Sequence, residues 1–124
     1  MPDRLIEGLR RYQREHLPQM REYFAKLASE GQKPSTLFIG CSDSRLVPNL
    51  LTDTGPGEIF MVRNVGNFVP PFQPDAEYHG TSAAIEFGIT ILGVTDVVVC
   101  GHSDCGAIRA LYEPPNDSTP HINK

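Results

Sequence analysis

Three side chains in this sequence, Cys41, His102 and Cys105, are of the types that hold a metal ion. His102 and Cys105 form a His-x-x-Cys pair, which puts an imidazole nitrogen and a sulfur on one short turn, and Cys41 supplies a distant third arm. Two sulfurs, one imidazole and a vacant fourth position form the donor set of a catalytic zinc site, because structural zinc sites close all four positions with protein ligands. A Cys and a His within four residues also arise by chance, so the weight rests on where the three fall along the chain.

They fall at strand ends. Ser35 to Gly40 is a short apolar run bounded by Pro34 and a glycine and reads as a buried strand, with Cys41 immediately after it. A second run, Glu58 to Val62, follows the Gly55-Pro56-Gly57 turn, and a third, Asp96 to Cys100, directly precedes the His102 turn. A helix from about Thr81 to Leu92 lies before the third run, with Thr81 or Ser82 placed to cap it and Gly93 to end it. Strand, connection, strand, helix, strand predicts an α/β fold with a mainly parallel central sheet and flanking helices. In such a sheet, loops at the carboxyl ends of strands meet where the winding direction reverses, so the two ligand loops can share one crevice. Cys100 completes an apolar run and reads as a small buried hydrophobe rather than a fourth donor. His16, His79 and His121 lack a partner donor at a strand end and read as surface or packing residues, with His79 a candidate proton relay.

Upstream, Leu5, Leu9, Tyr12 and His16 lie at helical spacing, and Met20, Tyr23, Phe24 and Leu27 continue the stripe after Pro18. This predicts two N-terminal helices broken near Leu17 and Pro18 and stopped at Gly31, with an apolar face packed on a core or a partner subunit. Pro70 to Pro74 reads as a loop, and residues 114–124 read as a loop or disordered tail.

Composition narrows the function classes. The 124 residues are 40% hydrophobic and 21% charged, enough apolar material for one folded domain spanning 1–124. Eleven basic against fifteen acidic residues give a net charge of −4 with the basic residues dispersed, which argues against nucleic acid as a partner. No apolar run approaches the ~20 residues of a membrane span, and the charged first seventeen residues do not resemble an export signal, so a cytoplasmic protein is expected. Three cysteines in that setting favour metal binding over a disulfide framework, and Gly101 to Gly106 matches no nucleotide-binding fingerprint.

Asp43 and Arg45 follow Cys41 at alternate positions of Cys-Ser-Asp-Ser-Arg and can pair next to the metal. Alone, such a pair reads as a solvated surface contact. Beside zinc, the carboxylate can accept a proton from bound water or occupy the open position. The ordered segments Cys41 to Arg45, Arg63-Asn64-Val65-Gly66-Asn67, Gly80 to Phe87 and Cys100 to Gly106 resemble the motif series of beta-class carbonic anhydrases, from the N-terminal helices to about Leu111. The resemblance implies zinc held by Cys41, His102 and Cys105, and an Asp43–Arg45 dyad that controls the fourth position. It also implies reversible hydration of carbon dioxide to bicarbonate and a proton by a zinc-bound hydroxide, and Gly106, at the start of the following helix, is placed to offer a backbone N–H to a bicarbonate oxygen. Activity should rise toward alkaline pH, because two thiolates neutralise the metal charge. Phe68 and Val69 are candidates for the apolar carbon dioxide pocket, and the family assembles as homodimers or higher homo-oligomers. Family members continue with a further strand and helices where this sequence stops at Lys124. That leaves a zinc-binding structural or assembly module without turnover as a second reading; a third, implied by relatives of this fold, is a hydrolase of a carbon dioxide analogue such as carbon disulfide or carbonyl sulfide.

Overall fold

The run Thr36–Cys41 forms β1, the central strand of a three-stranded sheet, in the computed structural model of the chain, which describes residues 2–123. Leu-Phe-Ile is apolar on consecutive positions rather than alternate ones, as a strand covered on both faces requires. Leu37 and Ile39 are fully buried and Phe38 nearly so. Ile59–Asn64 (β2) and Asp96–Cys100 (β3) pair with β1 on opposite sides, both parallel, giving the order β2-β1-β3. The parallel sheet expected from the element order is therefore present. The chain leaves β1 for β2 on one side and then crosses to β3 on the other, so the winding reverses between β1 and β3. Cys41 aligns with Asn64 across the β1–β2 ladder, and Gly40 aligns with Cys100 across the β1–β3 ladder. The carboxyl ends of all three strands thus lie at one level.

Short helices fill the connections: α3 (Pro48–Thr52) after β1, α4 (Gly80–Glu86) before β3 and α5 (Gly106–Ala110) after it. Helix α4 continues through a π-helical turn, Phe87–Ile91, and the chain then reverses at Gly93, whose φ of 68° suits a residue without a Cβ. The expected cap at Thr81 or Ser82 is not formed. His79 stands at the N-cap without a side-chain bond, and the helix starts early enough that Thr81 lies inside its first turn. The Thr81 hydroxyl instead accepts from the Asn64 amide at 3.2 Å.

Residues up to Gln32 form one compact unit and those from Lys33 onward another. The first unit is helical from Pro2 to Glu30: α1 (Pro2–Arg11), a π-helical segment (Tyr12–His16) and α2 (Leu17–Glu30). The break expected at Leu17 and Pro18 is absent. The Leu17 N–H bonds Tyr12 O, five residues back, and Pro18 enters at the start of α2, where its missing N–H costs little. Gly31, at φ 81°, ends the helix as expected. Leu5, Ile6 and Leu9 of this unit are exposed. Among the described residues, no helix is long and apolar enough to cross a membrane.

Candidate metal centre

Cys41 is the last residue of β1, and its position is fixed from the β2 side by both backbone and a side chain. The Ser42 N–H donates to Asn64 O at 2.8 Å, which carries the ladder past the strand end. The Arg63 guanidinium then gathers three carbonyls of the loop that follows: Cys41 O at 2.9 Å through Nε, and Asp43 O and Leu46 O at 2.8 Å each through Nη2. One side chain of β2 therefore clamps the whole segment from Cys41 to Leu46. Asn64 shapes the neighbouring turn, donating to Phe68 O and accepting from the Phe68 N–H at 2.8 Å each. That turn directs the Gly66 N–H at Cys41 Sγ, 3.4 Å away. Gly66 has φ 91°, and a Cβ there would run into the Phe68 ring, so glycine is required by conformation and by space.

The second ligand loop follows β3. Asp104, at φ 53°, turns the backbone so that Cys105 packs with Cys41 and Leu46 as a small buried cluster, against which Cys100, Ala107 and Ile108 rest. The His102 Nδ1–H donates to Ser103 O at 2.8 Å, which fixes the tautomer and leaves Nε2 free. That Nε2 is buried and has no hydrogen-bond partner. A donor set of His102 nitrogen and the Cys41 and Cys105 sulfurs has all its ligand atoms within 4.8 Å of one another, and it is the only such group of three among the described residues. The two sulfurs are 3.8 Å apart. Two sulfurs bound at about 2.3 Å to one tetrahedral zinc would stand roughly 3.8 Å apart, so the pair already has the spacing of a shared metal. An orphaned buried nitrogen beside two close sulfurs is otherwise an unfavourable arrangement, and a cation at their centre resolves it.

Electrostatics agree with that reading. Burial pushes the Cys41 thiol up, but the Asp43 backbone, the adjacent His102 ring, the Gly66 N–H and the Cys105 thiol outweigh it and bring the pKa down to about 7. The Cys41 sulfur beside it, followed by the Ser103 carbonyl, pushes His102 up from the ordinary imidazole value. Asp43 and Arg45 pair in a two-pronged fork, Nε to Oδ1 at 3.0 Å and Nη2 to Oδ2 at 2.8 Å, and the Arg45 N–H adds a third bond to Oδ1 at 2.8 Å. Those bonds hold the Asp43 carboxyl far below the usual carboxylate range and push the Arg45 guanidinium up. Arg45 Nη2 also donates to Asp104 O at 3.0 Å, tying the first ligand loop to the second. Asp43 Oδ2 lies 3.7 Å from His102 Nε2, at the edge of the metal position without entering it.

The structure thus brings together Cys41, His102 and Cys105, with Asp43 and Arg45 beside them and Gly106 as the first residue of α5. Cys100 stays outside the donor set, with its thiol 3.5 Å from Gly101 O. His79 lies away from it, paired with Asp75 at 2.6 Å. Sequence reasoning gave no role to the Arg63 side chain or to the Gly66 N–H. An arginine ending the otherwise apolar run Ile-Phe-Met-Val was the available signal, because a charge there needs a local acceptor.

Comparison with known proteins places this geometry in a family. A sequence profile described as carbonic anhydrase matches residues 36–124. A carbonic anhydrase of Pseudomonas aeruginosa is 50% identical over 107 residues, covering 86% of this chain and 47% of the relative. One of Synechococcus elongatus is 50% identical over 110 residues, covering 89% and 39%. Among solved structures, the beta-carbonic anhydrase CcaA superposes with a TM-score of 0.80 at 44% identity, over 88% of this chain and 48% of that one. A tetrameric beta-carbonic anhydrase from Sordaria macrospora follows with a TM-score of 0.77 at 33% identity, over 93% and 55%. The chain belongs to the carbonic anhydrase family, in its beta class. It spans about half the length of the relatives it matches, or less.

Proposed function

We propose that the chain holds one Zn2+ through Cys41, His102 and Cys105 and takes part in the reversible hydration of carbon dioxide to bicarbonate and a proton. The observation that carries this reading is the donor geometry: two sulfurs at 3.8 Å facing an imidazole nitrogen that has no other partner. Zinc in such a site supplies the Lewis acidity that makes a hydroxide nucleophile available near neutral pH. The protein's own residues do the rest. Asp43 is held ionised by Arg45, so it can only accept hydrogen bonds, and its Oδ2 edges the site where an attacking water must be oriented. Arg45 keeps that carboxylate turned toward itself and away from the ligand atoms. The Gly106 N–H is the proposed donor to a bicarbonate oxygen.

Carbon dioxide is apolar and needs an apolar approach. Phe68 and Val69, with Val65, Ala107 and Leu111, line a cleft of about 500 Å³ whose wall Ala107 also packs on the Cys41–Leu46–Cys105 cluster. The exposed stripe Leu5, Ile6 and Leu9 supports assembly as a homodimer or larger homo-oligomer. A net charge of −4 supports a small-molecule substrate rather than nucleic acid, and a cytoplasmic location without membrane insertion completes the proposal.

Metal analysis combined with stopped-flow carbon dioxide hydration tests it. The zinc-loaded chain should bind one equivalent and hydrate carbon dioxide faster than the chelated chain, with a rate rising toward alkaline pH, and Cys105→Ser should lose both metal and rate. Hydration that is equal with and without zinc would refute the assignment.

A further inference from the structure

The sulfurs of Cys41 and Cys105 are 3.8 Å apart within one small buried cluster. We infer that this pair is also a redox switch: when the metal leaves, a peroxide joins Cys41 to Cys105 as a disulfide, and the chain cannot take up zinc again until that bond is reduced. The inference rests on the zinc reading above, because it makes metal and disulfide alternative occupants of the same two sulfurs.

Geometry favours this pair over the others. A disulfide bond is about 2.05 Å long, so from 3.8 Å the sulfurs need to close by less than ~2 Å. Cys41 is anchored by the β1–β2 ladder and the Arg63 clamp, whereas Cys105 lies in the turn between β3 and α5 and can supply the movement. Cys105 is also the more exposed of the two, at 9% against 3%, so a small oxidant meets it first. Cys100 is held on β3 with its thiol toward Gly101 O. The chemistry balances with hydrogen peroxide alone. One sulfur attacks a peroxide oxygen, the O–O bond breaks, and a sulfenic acid and one water result. The second sulfur then attacks the sulfenic sulfur and a second water leaves, so two thiols and one peroxide give one disulfide and two waters. Bound zinc engages the same sulfur lone pairs and suppresses the first step.

The test uses the whole chain. Zinc uptake by the reduced, chelator-stripped protein is measured first; then stripped and zinc-loaded samples are treated with equimolar hydrogen peroxide, and thiols are counted after denaturation. Of the three cysteines, one free thiol should remain in the stripped sample and three in the loaded one. Peptide mapping should find Cys41 linked to Cys105, and zinc uptake should vanish on oxidation and return with dithiothreitol. The Cys100→Ser variant should form the same link. Three thiols retained in a stripped sample that had bound zinc normally would overturn the switch and leave the zinc reading standing. No zinc uptake by the reduced protein would instead sink the zinc reading. A mixture of links matching that formed in denaturant would also overturn the inference, since the fold would then not be selecting the pair.

Discussion

Strands β1 and β3 carry similar apolar runs, Leu-Phe-Ile and Val-Val-Val, yet they live in different surroundings. β1 is paired on both sides and its three apolar residues are buried, while Val97, Val98 and Val99 of β3 are each 41–51% exposed at the sheet edge. The two ligand loops inherit this difference. Cys41 hangs from the enclosed strand and is clamped by Arg63; His102 and Cys105 hang from the open one and are joined to the first loop through Arg45 and Asp104 O. One arm of the site is fixed by the core, and the other is held by fewer bonds. A metal that ties the arms together should therefore order the second far more than the first.

The difference can be broken first at the core. Leu37→Ala should cost about 2–5 kcal/mol in denaturant unfolding, whereas Val98→Ala should cost less than ~1 kcal/mol, because only the first leaves a cavity. Equal losses would mean that the β3 edge is as enclosed as β1. Removing the clamp is the next largest effect: Arg63→Ala leaves three carbonyls without their donor and should lower stability by roughly 1–3 kcal/mol. Hydrogen exchange in that variant should speed up across 42–46 and stay unchanged after β3.

The smallest effect on stability belongs to Arg45→Ala, since solvent screens an exposed ion pair. Its signature lies in pH. Asp43 has a depressed pKa when folded, so its pairing stabilises the fold above the ordinary carboxylate range and is lost only as pH falls through the lower folded value. In Arg45→Ala, the Asp43 carboxyl should titrate in the ordinary range by carbon NMR, turnover should fall, and zinc content should stay nearly intact. An unchanged Asp43 titration would remove Arg45 as the cause.

Much of this arrangement was legible in the residues. The Ser35 to Gly40 run and the Asp96 to Cys100 run lie within a residue of β1 and β3, because continuous apolar segments between turn residues have few alternatives. The convergence of Cys41 with His102 and Cys105 follows from a parallel sheet whose winding reverses beside its central strand. Other features depend on contacts that no local pattern encodes. Pro18 reads as a break, but a five-residue hydrogen-bond register ahead of it absorbs the missing donor. Thr81 reads as a cap, but a tertiary bond from Asn64 takes its hydroxyl. The Arg63 clamp joins residues twenty positions apart and exists only once β1 and β2 have paired.

Whether Cys41, His102 and Cys105 surround one zinc is read from X-ray absorption at the zinc edge. Two sulfurs at about 2.3 Å are expected, with the remaining nitrogen or oxygen ligands at about 2.0–2.1 Å, in a spectrum unchanged in Cys100→Ser and lost in Cys105→Ser. A shell with three sulfurs, or with none, would contradict that ligand set.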